Sequence, residues 1–315
     1  MNGSEDLAER GRGPDVTRFG FIGFGALAQA FAAGLRQAGI EGVAAFTRPR
    51  DDPAAAAALA ARLRAAGVHR CWSLQELVHD ADVIIGAVPA GAAVEIVERS
   101  VPHLIPGRLY VDPTPLAPSH KRALADRIGV AGAEYADVAV LGTVAIESYA
   151  VPMIAAGPGA LRWAATATPL GFKVSVLEGA AGQASLVKLL RSVYMKGRDA
   201  LILEMLLAAR RHGVEDAVLT SIGGPAEQVP FPDLVERVLR SLAIYAERRS
   251  AELEAAAELV DDVGLEPLVT LAGAARLRWL ADLGVRDSFR GERPEDLEAV
   301  LQAIEALDPA RRVTL

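Results

Sequence analysis

Short apolar runs of strand length alternate with helix-length segments through the first half of this chain, and that alternation restricts the fold more than any other feature. Residues 18–23, 42–47, 68–72, 82–88 and 108–112 read as strands. Between them, residues 26–38 read as a helix closed by Gly39, and residues 52–66 as a second. Ser73 caps a short helix at 74–79, with Glu76 as its capping-box partner, and 92–99 is again helical. Strands joined through helices need crossover connections, which gives a parallel sheet covered on both faces. Residues 135–140, 150–155 and 172–176 extend the strand pattern. From Ala180 onward the pattern is helical only: 180–211, 232–263, 266–283 and 294–307. The expected fold class is α/β, a doubly wound parallel sheet followed by an all-α C-terminal domain.

The first strand runs straight into Gly23-Phe24-Gly25-Ala26-Leu27-Ala28. In Gly-x-Gly-x-x-Ala, the first glycine permits a tight turn and the second lets backbone approach a pyrophosphate. The small third residue lets the helix pack on the sheet. The spacing is weak evidence alone in an Ala/Gly-rich chain. At the first strand–helix turn of an alternating pattern it marks a Rossmann dinucleotide-binding domain. Gly23, Phe24, Gly25, Ala26 and Leu27 are the expected cofactor loop, with Val88 and Pro89 at the end of the fourth strand. The alternative is a structural turn that binds nothing.

The tip of the second strand bears on which nucleotide. An NAD site places an acid there to bond the ribose hydroxyls, whereas this chain has Thr47 and Arg48. A guanidinium with a hydroxyl beside it suits a 2′-phosphate, so NADP (NADPH) is preferred over NAD. The alternative is a surface arginine, with Asp51 or Asp52 reaching back to the ribose.

Expected domains are a flexible tail at 1–16, a nucleotide-binding domain at 17–178, and an all-helical substrate and dimerisation domain at 179–315. The net charge of −7 argues against a nucleic-acid partner. No segment has the length and apolarity of a membrane span or a signal peptide. A single cysteine, Cys71, forms no internal disulfide, which fits a cytoplasmic protein. His69, His79, His103, His120 and His212 show no metal-ligand spacing. His120 reads as a helix N-terminal residue. No nucleophile elbow or Cys-x-x-Cys is present.

The segment joining the two halves is Gly179-Ala-Ala-Gly182-Gln-Ala184-Ser185-Leu-Val-Lys188. On a helical wheel Ser185, Ser192, Met195 and Asp199 share a line with Lys188, while Leu186, Leu189, Leu190 and Val193 lie across it. Periodicity alone therefore puts Lys188 on a solvated helix face. The segment also resembles the Gly-x-x-Gly-x-Gly-x-x-x-Lys-x-x-x-Asn run of the β-hydroxyacid dehydrogenase superfamily, which includes the 3-hydroxyisobutyrate and 6-phosphogluconate dehydrogenases. Ala184 stands for the third glycine and Ser192 for the asparagine. Two further segments look like family runs in the right order: Val111-Asp112-Pro113-Thr114-Pro115 and Asp137-Val-Ala-Val-Leu141-Gly142-Thr143. The compact helical half is most similar to a short bacterial branch with a phosphogluconate-dehydrogenase-like C-terminal domain.

The resemblance implies hydride transfer between a nicotinamide and a hydroxy or oxo carbon of a β-hydroxyacid-like small molecule. Lys188 would be the general acid/base, and an ammonium also stabilises charge developing on oxygen. Arg191 would lower the lysine's pKa if close, though it reads as a solvated helix charge. Substrate contacts are expected from Thr114, Leu141, Gly142, Thr143 and Ser192. Leu141 and Ser192 depart from the family pattern, so a larger or less polar hydroxy compound is expected. Imine reduction is an alternative. Relatives of that kind usually carry Asp or Tyr in place of the lysine, and Tyr194 lies on the apolar side of the helix. A cofactor-binding sensor without turnover is another. The resemblance also implies a homodimer through the helical half.

Overall fold

The computed structural model describes residues 17–49, 51–222, 224 and 228–308. The tail expected at 1–16 lies outside them. The chain forms two compact units that meet at Arg191 and Ser192. The boundary was expected at 178. Residues 179–191 belong with the sheet instead, because Ala181, Ala184 and Ser185 are buried against it.

The first unit opens with β1 (Phe19–Ile22), α1 (Ala26–Gln37), β2 (Val43–Phe46), α2 (Pro53–Ala65) and β3 (His69–Cys71). It continues through α3 (Leu74–Asp80), β4 (Val83–Gly86), α4 (Ala90–Ser100), β5 (Leu109–Asp112) and α5 (Pro118–Val130). Then come β6 (Glu134–Val140), α6 (Val144–Glu147), β7 (Met153–Ala156), α7 (Ala160–Ala167), β8 (Val174–Val176) and α8 (Gln183–Arg211). The strands form one sheet in the order β3-β2-β1-β4-β5-β6-β7-β8. Every pairing is parallel except β6 with β7.

Side chains alternate across this sheet, as a period of two demands. Phe19, Phe21, Val83, Ile85, Leu109 and Val111 enter one core with Phe31, Leu35 and Trp163. Ile22, Ile84, Tyr110 and Tyr135 enter the other with Leu77, Ile96 and Ile128. Both faces are covered, so the strands read as nearly continuous apolar runs. Each such side chain taken out of water contributes about 1.5–3 kcal/mol. Ser73 caps α3 by accepting from the Glu76 N–H at 3.0 Å.

α8 runs on into the second unit, which adds α9 (Glu215–Ile222), α10 (Phe231–Asp262), α11 (Leu268–Asp282), α12 (Val285–Ser288) and α13 (Leu297–Leu307). Its core gathers Ala243, Ala246, Leu280, Val285 and Val300. Glu204 of α8 caps α11, accepting from Val269 N, Thr270 N and Thr270 Oγ1. α10 is not one straight helix. Tyr245 has φ −116° and ψ 15°, and the Arg249 guanidinium bonds Ser241 Oγ at 2.8 Å across that break. Among the described residues no helix is long and apolar enough to cross a membrane.

Candidate active site

The sequence order of the strands reverses between β1 and β4, and loops at the carboxyl ends of these strands form a crevice in sheets of this kind. Gly23 has φ +91°, and a Cβ there would lie 2.3 Å from the Ala87 carbonyl oxygen. Only glycine fits, because the β1 and β4 loops touch at that point. Gly25 is the opposite case. It caps α1 with no side-chain bond, and a Cβ there would meet nothing within 4 Å. The N-terminus of α1 thus faces open space, an anion site made of backbone N–H groups and helix dipole. Thr47 Oγ1, at the end of β2, is buried without a hydrogen-bond partner. These features fit a dinucleotide, with the orphaned hydroxyl where the adenosine ribose belongs. Beside it Arg48 bonds Glu95 of α4 at 2.8 Å, both side chains more than half exposed. The carboxylate of Glu95 is held below its usual range by Arg48 and by Arg99.

Along the sheet, Asp112 and Asp137 are paired neighbours on β5 and β6, and both are fully buried. Lys121 of α5, itself fully buried, bridges them. Its Nζ is 3.0 Å from Asp112 Oδ2 and 3.3 Å from Asp137 Oδ1, and it donates to the Asp112 carbonyl at 2.8 Å. Tyr135 donates its hydroxyl to Asp112 Oδ2 at 2.5 Å. Thr114 donates both its N–H and its hydroxyl to Asp112 Oδ1. Two like charges side by side would be very unfavourable, and the ammonium with these donors makes the pair tolerable.

Asp137 also fixes where α8 begins. Its Oδ2 accepts from Gly182 N and Ser185 N at 2.9 and 3.0 Å, and its Oδ1 accepts from Ser185 Oγ at 2.7 Å. A carboxylate at a helix N-terminus is favoured by the helix dipole. Gly182 has φ +101°, and a Cβ there would lie 2.7 Å from the Pro118 carbonyl oxygen. Ala184 packs against Ala139 and Ala156 of the sheet, with Leu141 at the edge of the same cluster.

Lys188 stands one turn beyond this anchor and is half-buried. The wheel had placed its line of residues in solvent. The structure reverses this: Ser185 faces the sheet, while Leu190 and Val193 are 62% and 72% exposed. Burial holds the Lys188 ammonium below its usual range, and the nearby Lys121 charge adds to the effect, against the pull of Asp137 and Asp112. The cation acting on Lys188 is therefore Lys121 and not Arg191, which is exposed.

The expected substrate residues are placed unevenly. Thr114 is buried and its hydroxyl donates inward to Asp112. The Leu141 N–H donates to the Pro152 carbonyl, and the Thr143 N–H donates to Glu147 Oε2 at 2.9 Å. Glu147 also crowds Gly142, where a Cβ would lie 1.9 Å from its Oε2. The next residue, Ser148, has φ 52°, a conformation that side chains resist. Ser192 is half-buried and belongs to the second unit. Tyr194, also in the second unit, is half-exposed and packs against Phe231 with the rings tilted, centroids 4.8 Å apart. Sequence reasoning missed Lys121, Tyr135 and Glu147. Lys121 looks like any helix lysine, and only the unusual burial marks it.

His69, Cys71 and Glu76 bring ligand atoms within 4.8 Å of one another, although the histidines show no metal spacing in sequence. The capping box accounts for this. Glu76 Oε2 accepts from the Trp72 N–H at 2.8 Å, and burial pushes the Cys71 thiol up to about 12, away from the thiolate a metal takes.

Residues 18–168 match the family model of the NAD binding domain of 6-phosphogluconate dehydrogenase. Residues 209–280 match a domain of unknown function, DUF1932. A protein of Methanothermus fervidus, described as an uncharacterized 28.5 kDa protein in the 7S RNA 5′ region, is 26% identical over 257 residues, covering 80% of this chain and 94% of that protein. Among solved structures, a conserved protein of unknown function, said to be structurally similar to 3-hydroxyacid dehydrogenases, is 28% identical. Its TM-score is 0.56, over 84% of this chain and 98% of that one. A reductive aminase from Aspergillus terreus, solved with NADPH and ethyl levulinate, shares the fold with a TM-score of 0.70 at 21% identity, over 93% of this chain and all of that one.

Proposed function

We propose that this chain is an NAD(P)-dependent dehydrogenase or reductase, a reading supported by the match of residues 18–168 to the NAD binding domain of 6-phosphogluconate dehydrogenase, and that it transfers hydride between NADP and a hydroxy or oxo carbon, with Lys188 as general acid/base. The bound nicotinamide supplies the hydride. The chain's own residues hold the dinucleotide and handle the proton. The open α1 N-terminus at Gly25 receives the pyrophosphate, the Phe24, Ala26 and Leu27 backbone lines it, and Val88 and Pro89 border the β4 side. Thr47 and Arg48 meet the 2′-phosphate.

The observation that carries the reading is the position of Lys188. It is half-buried one turn past a helix start that Asp137 fixes, with a second lysine beneath it. Both effects ease proton release, so the lysine can give a proton to a developing alkoxide and take it back. Leu141, Gly142 and Thr143 would border the substrate. A panel of hydroxy and oxo compounds, followed through the absorbance of reduced nicotinamide with NADPH and NADH in parallel, tests cofactor and reaction together. Turnover with NADH alone would overturn the cofactor choice.

One observation favours imine reduction as a second reading. The Thr143 N–H is already taken by Glu147, Thr114 turns its hydroxyl inward, and Leu141 brings no side-chain donor. Such a loop suits a neutral or cationic substrate better than a small carboxylate, so cyclic imines belong in the panel. Homodimerisation through the helical half is supported by exposed apolar side chains on α8, among them Leu190, Val193 and Leu203. Light scattering tests it.

A further inference from the structure

The sheet ends at β3, next to the strand whose tip carries Thr47 and Arg48. Pairing of β2 with β3 closes at Phe46 opposite Cys71, so the following residues, Thr47 and Trp72, are neighbours at the carboxyl ends of the two strands. Strands in a sheet lie roughly 4.8 Å apart. On the other side of Thr47, the Gly23 N–H donates to the Phe46 carbonyl at 2.8 Å. Gly23, Thr47 and Trp72 thus follow one another along the carboxyl edge of the sheet.

Side-chain alternation decides which of these groups share a face. Val43, Ala45 and Val68 enter one core, and Phe46 and Cys71 the other. Thr47, Arg70 and Trp72 therefore project from the first face. Arg48 falls on the second, where it bonds Glu95. Trp72 is 75% exposed, an unusual place for so large an apolar side chain. The Arg70 guanidinium covers it, with Cζ 4.3 Å from the ring centroid. A guanidinium stacked on an uncharged ring keeps its in-plane N–H donors directed outward, and their fork matches the oxygens of a phosphate. The stacking also fixes a long side chain before any ligand arrives, which lowers the entropy lost on binding. Next to this pair on the neighbouring strand is Thr47, whose Oγ1 is buried without a hydrogen-bond partner.

We infer that Arg70, held in place by Trp72, is a second ligand for the 2′-phosphate of NADP, on the opposite face of the sheet from Arg48. This role deepens the NADP proposal and rests on it. Trp72 is a positioning residue, acting through Arg70.

Isothermal titration of the full chain with NADPH and with NADH tests it, because the two differ only in the 2′-phosphate. Arg70→Gln should weaken NADPH about 10-fold or more, as expected for a lost charged hydrogen bond, and change NADH little. Trp72→Ala should weaken NADPH about 2–5-fold through the lost cation–π contact, again sparing NADH. Trp72 is exposed, so its variant keeps the test valid if Arg70→Gln unfolds. NADPH affinity unchanged in both variants would overturn the inference, as would equal losses for NADPH and NADH. The NADP proposal would survive either result if Arg48→Ala still weakened NADPH alone. A wild-type chain that binds NADH as tightly as NADPH would overturn both.

Discussion

Asp112 and Asp137 lie side by side across the β5–β6 ladder, fully buried, with the ammonium of Lys121 between them. Their remaining lone pairs are filled by Tyr135, Thr114, Ser185 and the Gly182 N–H. This arrangement joins the sheet to the first turn of α8. It also sets the electrostatic surroundings of Lys188.

Lys121→Met should therefore be severely destabilising. It leaves two adjacent buried carboxylates without their cation, a loss of about 3–5 kcal/mol for a broken buried pair. Urea unfolding measures it. Asp112→Asn combined with Lys121→Met should recover part of the loss, because one buried negative charge leaves with the cation.

The lowered pKa of Lys188 gives a signed pH dependence. Its folded value lies below the unfolded value of about 10.4, so between the two the unfolded chain binds more protons. Stability from this group is lowest while both forms are charged and rises with pH across that window. Lys188→Met should remove that rise in urea midpoints measured against pH. Under the proposed acid/base role of Lys188, catalysis follows the same group. Reduction needs the ammonium and should slow as pH climbs through the lowered pKa, whereas oxidation should speed up.

The proposed role of Arg48 is to set the cofactor preference. Arg48→Ala should weaken NADPH binding by roughly 10–100-fold, the value of a charged hydrogen bond, and change NADH binding little. Its exposed partner Glu95 would compete with a 2′-phosphate for the guanidinium. Glu95→Gln should accordingly tighten NADPH, most visibly at low salt. Fluorescence titration with both cofactors checks this.

Gly182→Ala should strain the start of α8. The new Cβ would press on the Pro118 carbonyl oxygen, a backbone atom that cannot swing away, at a φ side chains resist. A cost of about 1–3 kcal/mol is expected, read from the unfolding midpoint.

The parallel sheet was legible because its strands are apolar on both faces and its first turn needs a glycine at Gly23. The long helices of the second half were legible from periodicity, but the short α9 and α12 were not, nor was the break at Tyr245, which no glycine or proline announces. The burial of Lys188 was not legible from periodicity. A helix wheel assumes that the apolar face is buried, whereas here the polar face carrying Ser185 turns to the sheet because Asp137 draws it there. Lys121 and Glu147 were invisible for a related reason. Their roles depend on pairing with residues brought close only by the fold, and in sequence each is an ordinary charge on a short helical segment.

Turnover of the Lys188→Ala variant tests the central claim most directly, with NADPH affinity measured on the same preparation. The expected result is a 10²–10⁴-fold fall in kcat on the best oxo substrate of the panel, the usual contribution of a positioned acid/base, with NADPH affinity unchanged. Undiminished turnover in that variant would contradict a catalytic Lys188.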